Sequence, residues 1–274
     1  MSTILVTGGT GALGRDVVPR LLAAGCQVRV HSRRPRRDDD PAGTQWMVGD
    51  LRTGAGLDTA VRDAAVVVHC ASDPRRPRSD LGAARNLIDA ARANGNPHLV
   101  YVSIVGVDRV PLGYYRIKLT VEQLVENSGL PWTILRATQF HDLICYLFQL
   151  LARLPVLMIP AGVSFQPVDT GDVAARLTAL ALGDPAGRAA DFGGPRVQST
   201  AELARAWLRA TGRRRRLLNV RLPGKAFRGY RDGGNVAPSH ADGKVGFEEF
   251  LREHVSPSAR SAAYGRLRAG RGPR

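Results

Sequence analysis

Ile4-Leu5-Val6-Thr7-Gly8-Gly9-Thr10-Gly11-Ala12-Leu13-Gly14 decides the fold. An apolar run enters a glycine-rich turn, and helix-forming sequence opens directly behind it. Gly9, Gly11 and Gly14 satisfy G-x-G-x-x-G, and the same stretch reads T-G-x-x-G-x-x-G from Thr7. A second apolar strand, Gln27 to His31, follows near the distance a strand–helix–strand unit needs. The physics of such a turn asks for glycine three times. One lets the chain take φ > 0, one lets a diphosphate approach the backbone without meeting a Cβ, and one lets the helix pack close to the strand. Amides at the helix start, around Ala12 and Leu13, then face phosphate oxygens with the helix dipole behind them. Thr7, Gly8, Gly9, Thr10, Gly11, Ala12, Leu13 and Gly14 are therefore the predicted grip on a dinucleotide.

Outward from that turn, strands and helices alternate, the pattern of a parallel sheet covered on both faces. Strands are predicted at Thr3–Thr7, Gln27–His31, Gln45–Val48, Ala65–Cys70, His98–Ser103 and Trp132–Arg136, several almost wholly apolar. Helices are predicted at Gly11–Ala24, Ser79–Asn94 and Tyr114–Ser128, with Gly25, Gly95 and Gly129 marking their ends. Right-handed crossovers make this a Rossmann-type, doubly wound α/β sheet with its cleft at the strands' carboxyl ends. After Arg136 the pattern changes. Phe140–Leu154 reads as an apolar helix and Val163–Val168 as a strand. A helix runs from Asp169 through Leu182, and Arg188–Phe192 returns to the sheet. Glu202–Ala210 is helical, Leu217–Leu222 extended, and Gly246–His254 a last helix. The expected division is a dinucleotide-binding core over 1–136 and about 164–192, a small substrate-binding lobe over about 137–163 and 193–255, and a disordered tail over 256–274.

Composition narrows the classes. The 274 residues, 44% hydrophobic, can bury a sizeable core. The longest apolar stretch, Leu143–Leu151, is too short to span a bilayer. No secretory leader is read at the start of the chain, and Cys26, Cys70 and Cys145 lack metal-ligand spacing, which points to a reducing, cytoplasmic setting and to no metal. The net charge of +15 is mostly arginine, the only lysines being Lys118, Lys225 and Lys244. These charges gather at Arg33–Arg37, Arg213–Arg216 and beyond Ser256, without a motif for reading nucleic acid. Nucleic acid is accordingly not the expected partner. Oligomeric state is not readable.

The end of the second predicted strand chooses between nucleotides. A carboxylate there would accept from a ribose 2′-hydroxyl and repel a 2′-phosphate. The chain instead reads Val30-His31-Ser32-Arg33-Arg34. Ser32, Arg33 and Arg34 offer donors to a phosphate, which favours NADP(H) over NAD(H). Asp50 and Leu51 follow the third strand and are placed at the adenine edge. Ala71 and Ser72 follow the fourth and line the adenosine side.

Tyr114 and Lys118 form Y-x-x-x-K, one helical turn apart on one face. An ammonium beside a phenol favours the phenolate and lowers its pKa, so the tyrosine can exchange a proton with a carbonyl oxygen during hydride transfer. Ser103, at the tip of the preceding strand, is placed to hydrogen-bond the same oxygen, and Lys118 to hold the nicotinamide ribose. Thr138, Gln139, Phe140 and His141 follow the sixth strand, with Thr138 expected near the cofactor and Gln139, Phe140 and His141 near substrate. Phe140, Leu143, Ile144, Leu147 and Phe148 make an apolar stripe. With Val156, Leu157 and Met158 it suggests a pocket for a small hydrophobic molecule.

The glycine turn, Ser32-Arg33, Asp50-Leu51, Ser103, Tyr114-x-x-x-Lys118, Leu130-Pro131-Trp132-Thr133-Ile134-Leu135-Arg136, Phe165–Asp169 and Asp172-Val173-Ala174 together resemble the short-chain dehydrogenase/reductase superfamily. The likeness is greatest to its atypical, extended-like members, the NmrA-like and NAD(P)H-binding proteins. It covers about the first nine-tenths of the chain. The resemblance implies an NADPH-dependent oxidoreductase acting on a ketone, enone or quinone. A cofactor-binding redox sensor without turnover and an epimerase or dehydratase are the alternatives. One departure stands out: where the superfamily often has a catalytic Asn, this chain has Asp80, counted here among the catalytic candidates.

Overall fold

The computed structural model describes residues 2–74 and 76–255 and divides into two compact units. The predicted tail, 256–274, lies outside the described residues. The first unit comprises 1–137 and 170–192, the second 138–169 and 193–274.

In the first unit a seven-stranded parallel sheet contains β1 (Thr3–Thr7), β2 (Gln27–Ser32), β3 (Gln45–Val48), β4 (Val66–His69), β5 (His98–Ile104), β6 (Trp132–Ala137) and β9 (Gly187–Arg188). The spatial order is β3-β2-β1-β4-β5-β6-β9. Chain direction through the sheet reverses between β1 and β4, which pair with Thr7 opposite His69. That is the switch point at which open α/β sheets leave a crevice beyond the strand ends. Helices α1 (Gly14–Ala23) and α6 (Thr170–Leu182) pack together on one face. Helices α2 (Leu57–Val61), α3 (Pro77–Ala93) and α4 (Gly113–Glu126) cover the other. There Leu5, Val67, Leu99, Tyr101 and Ile134 of the sheet meet Leu57, Leu87, Val121 and Val125 of the helices, all at most 2% exposed. Removing Leu or Ile side chains of this kind from water contributes about 1.5–3 kcal/mol each.

Two expectations are corrected here. The first helix begins at Gly14, not Gly11, because residues 8–13 are spent on the turn itself. The five-residue α2 was not foreseen; its run Leu57–Val61 is too short to show a period.

The second unit contains α5 (His141–Leu151), β7 (Val156–Pro160), β8 (Ser164–Phe165), β10 (Gln198–Ser199), α7 (Thr200–Thr211), β11 (Arg216–Val220), α8 (Lys225–Arg231) and α9 (Phe247–His254). Its core gathers Ile144, Phe148, Leu157, Ile159, Leu203, Trp207, Phe247 and Phe250. β7 and β11 form a two-stranded parallel ribbon, with Met158 opposite Leu218. The strand predicted at Val163–Val168 is only two residues long and pairs antiparallel with β10, inside this unit. Helix α7 is closed by a reciprocal cap: Ser199 Oγ accepts from Glu202 N–H at 3.2 Å, and Ser199 N–H donates to Glu202 Oε2 at 2.7 Å. Gly212, at φ 65°, ends it.

Candidate functional site

The glycine turn resolves which reading of its motif carries the geometry. Gly8 takes φ +71°, and a Cβ there would lie 2.6 Å from Ala71 N, the backbone just beyond β4. A Cβ on Gly14 would lie 2.2 Å from Gly8 O and 2.6 Å from Gly9 Cα, so α1 reaches the turn only because it starts with glycine. Gly11 is different. Its φ lies outside the left-handed range, it is exposed, and among the described residues its Cβ would meet only Gly8 O, at 3.1 Å. The spacing that matters is Gly8, Gly11, Gly14. The outer two glycines are required by the protein's own backbone, while the middle one opens outward. Gly11 N–H is itself committed to Gly8 O at 2.8 Å. The amides left for a ligand are those that follow it, leading into α1. A dinucleotide's diphosphate fits this turn, which keeps backbone donors and an unfilled Cβ position on its outer side.

Thr7 and Gly9 are buried and Thr10 is half-buried. Thr7 Oγ1 lies 2.7 Å from His69 Nδ1, and His69 stacks on Tyr101 at 5.5 Å. Burial drives the His69 imidazole down to about 3, so it stays neutral.

At the end of β2, Ser32 is buried and Arg33 exposed. Arg34 was predicted to bind phosphate. Its guanidinium instead forms two 2.6 Å bonds to Asp40 and lies 5.1 Å over the Trp46 ring. Trp46 Nε1 donates to Arg34 O at 2.7 Å. The loop after β2 folds back and brings Asp40 to Arg34. Ser32 Oγ accepts from Arg34 N–H at 3.2 Å. Asp50 is paired with Arg52 at 2.8 Å, and hydrogen bonds from Arg52 hold its carboxyl down at about 2. Leu51 packs against the core, and Asn86 Nδ2 donates to Leu51 O at 2.8 Å.

Beyond β4, Ala71 is half-buried and Ser72 exposed. Asp80, in the first turn of α3, organises this loop. Its Oδ1 accepts from Asp73 N–H at 2.9 Å and its Oδ2 from Ser72 Oγ at 2.6 Å. Ser72 Oγ is also 2.7 Å from the Tyr114 hydroxyl. A serine has one proton to give. With that proton on Asp80, Ser72 accepts from Tyr114, and the chain runs Tyr114 to Ser72 to Asp80. All three residues are candidates from the sequence, but their connection is not readable there.

Lys118 corrects the expected pairing. It is 3% exposed, donates to Val102 O at 2.8 Å, and sits 4.3 Å over the Tyr101 ring. Burial lowers its ammonium to about 8, opposed by Asp80, Glu122 and Cys70. The Tyr114 phenol is not lowered. Burial pushes it up to about 12, opposed by the Ser72 hydrogen bond. Tyr115, the next residue on α4, is buried.

Ser103 turns to the helix-covered face of the sheet. There Glu122 is fully buried between Arg136, bonded at 3.0 and 2.7 Å, and Arg188 at 2.9 Å. Burial would raise the Glu122 carboxyl, but bonds from Arg136 and Arg188 hold it below its usual range. Ser103 is itself buried, sits in register opposite Arg136, and its Oγ has no hydrogen-bond partner among the described residues. Glu122, His69 and Tyr101 were missed because their partners come from distant elements.

In the second unit, Thr138 Oγ1 donates to Gln166 O at 2.5 Å and accepts from Gly194 N–H at 3.3 Å. Gln139 is buried and donates to Asn235 O at 3.0 Å. Phe140 is half-buried and bridges Val168. His141, predicted near substrate, is wholly buried, 3.1 Å from Val245 O and packed on Phe247 and Phe250. It belongs to the core of this unit.

Comparison with known proteins agrees with the turn. Residues 8–143 match the family described as NAD(P)H-binding. The chain is 39% identical over 140 residues to the (4-alkanoyl-5-oxo-2,5-dihydrofuran-3-yl)methyl phosphate reductase of Streptomyces griseus subsp. griseus, a match that covers 50% of this chain but only 48% of the relative. It is 30% identical over 229 residues to an NAD(P)H azoreductase of Xenophilus azovorans, covering 80% of this chain and 77% of that one. The fold is shared with the NADPH-dependent quinone oxidoreductase of Escherichia coli complexed with NADPH, at TM-score 0.74 and 22% identity over 94% of this chain and 98% of that one. Among the described residues no helix is long and apolar enough to cross a membrane. With its switch-point glycine turn and these relatives, the chain belongs to the atypical, NmrA-like NAD(P)H-binding members of the short-chain dehydrogenase/reductase superfamily.

Proposed function

We propose that this protein is an NADPH-dependent reductase of a carbonyl or conjugated carbonyl on a small hydrophobic molecule. The observation that carries this reading is the hydrogen-bonded chain from Tyr114 through Ser72 to Asp80 beside the glycine turn. The cofactor, when bound, supplies the hydride. Tyr114 supplies the proton: its hydroxyl swings from Ser72 to the substrate oxygen and gives up hydrogen as that oxygen gains negative charge. A phenol held near 12 does this as a neutral acid, with no standing phenolate. Ser72 is exposed, so the proton is replaced from solvent along Ser72, with Asp80 fixing the hydroxyl's position. Lys118, one turn further along α4 and held on Val102 O, keeps a cation in the same neighbourhood, where it favours the developing charge. Preference for NADPH rests on Arg33, exposed at the end of β2, with Ser32 beside it. The activities of the relatives, a furanone phosphate reductase, an azoreductase and a quinone oxidoreductase, support conjugated acceptors.

A second reading has an observation of its own. Lys118 is directed at Val102 O and the Tyr101 ring, and the Tyr114 phenol is raised instead of lowered, which suits a protein that binds cofactor without turning it over. One experiment separates the two. NADPH consumption is followed with quinones, enones and ketones, beside a cofactor titration, for the parent and Tyr114→Phe. The reductase reading expects turnover by the parent, a loss of at least a hundredfold in the variant, and equal cofactor affinity. Tight binding with no turnover on any acceptor supports the second reading, and an unchanged rate in Tyr114→Phe places the proton donor elsewhere.

A further inference from the structure

The second unit carries an exposed apolar surface. Leu143, Leu147, Leu154, Met158 and Leu218 are each 40–50% exposed. Their positions are related. Leu143, Leu147, Leu150 and Leu154 follow helical spacing along α5 and past its end, outside the row Ile144, Cys145 and Phe148 that enters the core. Pro155 then leads into β7, where Leu157 and Ile159 point to the core and Met158 to solvent. Met158 pairs in register with Leu218 of β11, so the two lie side by side on the ribbon's outer face.

The same ribbon brings cations to that surface. Arg216 pairs with Val156, which places it and the preceding Arg213, Arg214 and Arg215 at the ribbon's starting end, beside Arg153 and Leu154. All five arginines are exposed. Segment 143–168 contains one Arg or Lys and segment 203–231 contains ten, and neither contains a single Asp or Glu. Exposed leucine and methionine with a cluster of arginines at one end of the ribbon is the composition of a surface that settles on an anionic bilayer.

We infer that this face of the second unit docks peripherally on a membrane of anionic lipid, with Leu154, Met158 and Leu218 entering the acyl boundary and Arg213–Arg216 meeting the phosphates. Nucleic acid would satisfy the arginines but offers no hydrocarbon to the leucines. A second copy of this chain would bring like charge against like charge. The inference does not depend on the reductase reading.

Co-sedimentation of the full chain with vesicles tests it. The expected result is binding to phosphatidylglycerol/phosphatidylcholine vesicles, weakened by salt, and none to phosphatidylcholine alone. Each neutralised arginine weakens such binding about fivefold, so Arg214→Gln/Arg215→Gln loses about 25-fold. Leu154→Ser/Met158→Ser, which touches no charge and leaves the arginines and the tail in place, loses at least fivefold. Because these side chains are exposed, the variants keep the parent's circular dichroism and cofactor titration. Three outcomes overturn the inference: vesicle binding unaffected by the Leu154/Met158 pair, duplex DNA competing as well against the parent as against that variant, or a dimer in solution that the pair dissociates.

Discussion

Gly11 and Gly14 stand three residues apart in one motif, yet they should respond oppositely to the same added methyl. On Gly14 the Cβ would lie 2.2 Å from Gly8 O and 2.6 Å from Gly9 Cα, both backbone atoms that cannot swing aside. The start of α1 must move off the turn, at a cost of about 1–3 kcal/mol, only partly offset by the gain of about 0.5–1 kcal/mol for alanine over glycine in a helix. On Gly11 the only close atom among the described residues is Gly8 O at 3.1 Å, which yields with a small shift, while the unfolded chain loses entropy worth about 0.4–1 kcal/mol. Gly11→Ala should therefore unfold within about 1 kcal/mol of the parent, whereas Gly14→Ala should be clearly less stable. Binding reverses the order of interest. If the turn receives a diphosphate, the Gly11 methyl stands where a phosphate oxygen approaches the amides. Loss of one charge-assisted hydrogen bond, about 1.5–3 kcal/mol, weakens NADPH about ten- to a hundredfold. Urea denaturation gives the stabilities, and fluorescence titration of NADPH gives the affinities. A Gly11→Ala protein of parental stability that binds NADPH as tightly as the parent would refute the argument.

Three further outcomes follow from the same geometry. Arg33→Ala should weaken NADPH about ten- to a hundredfold while leaving NADH nearly unchanged, and equal losses for both nucleotides in parallel titrations would remove Arg33 from the 2′-phosphate. Lys118 titrates near 8 when folded and near 10.5 when unfolded, so between these values the unfolded chain holds more protons and rising pH stabilises the fold, by up to about 3 kcal/mol. Urea denaturation from pH 7 to 10 should show the parent gaining stability relative to Lys118→Met, and parallel curves would mean that the ammonium is not buried. Glu122→Ala strips Arg136 and Arg188 of their buried partner and should cost about 3–5 kcal/mol in the same assay, a loss below 1 kcal/mol contradicting the buried cluster.

What the sequence disclosed follows the range of the interactions concerned. The turn at Gly8–Gly14, the buried strands around it and the glycine helix ends are local, so their residues announced them. The spacing of Tyr114 and Lys118 correctly put both on α4. It could not tell that Val102 O and the Tyr101 ring capture the ammonium, because those groups come from β5. Ser72 and Tyr114 are 42 positions apart, and their contact exists only once α4 is folded beside the loop after β4. Ser103 stands near the end of β5 opposite Arg136, and that its buried Oγ meets no hydrogen-bond partner among the described residues is not readable from spacing. His141 looked like a site residue because it follows β6, but aromatic packing from α9, more than 100 residues on, makes it core. The pairing of Asp40 with Arg34 is likewise invisible in the sequence, because it exists only once the loop after β2 curls back.

Calorimetric titration of the purified full chain with NADPH tests the central claim most directly, because every functional step begins with a diphosphate seated on the turn between β1 and α1. The account predicts one saturable site per chain, tighter for NADPH than for NADH. Absence of saturable heat with either nucleotide at millimolar concentration would contradict it.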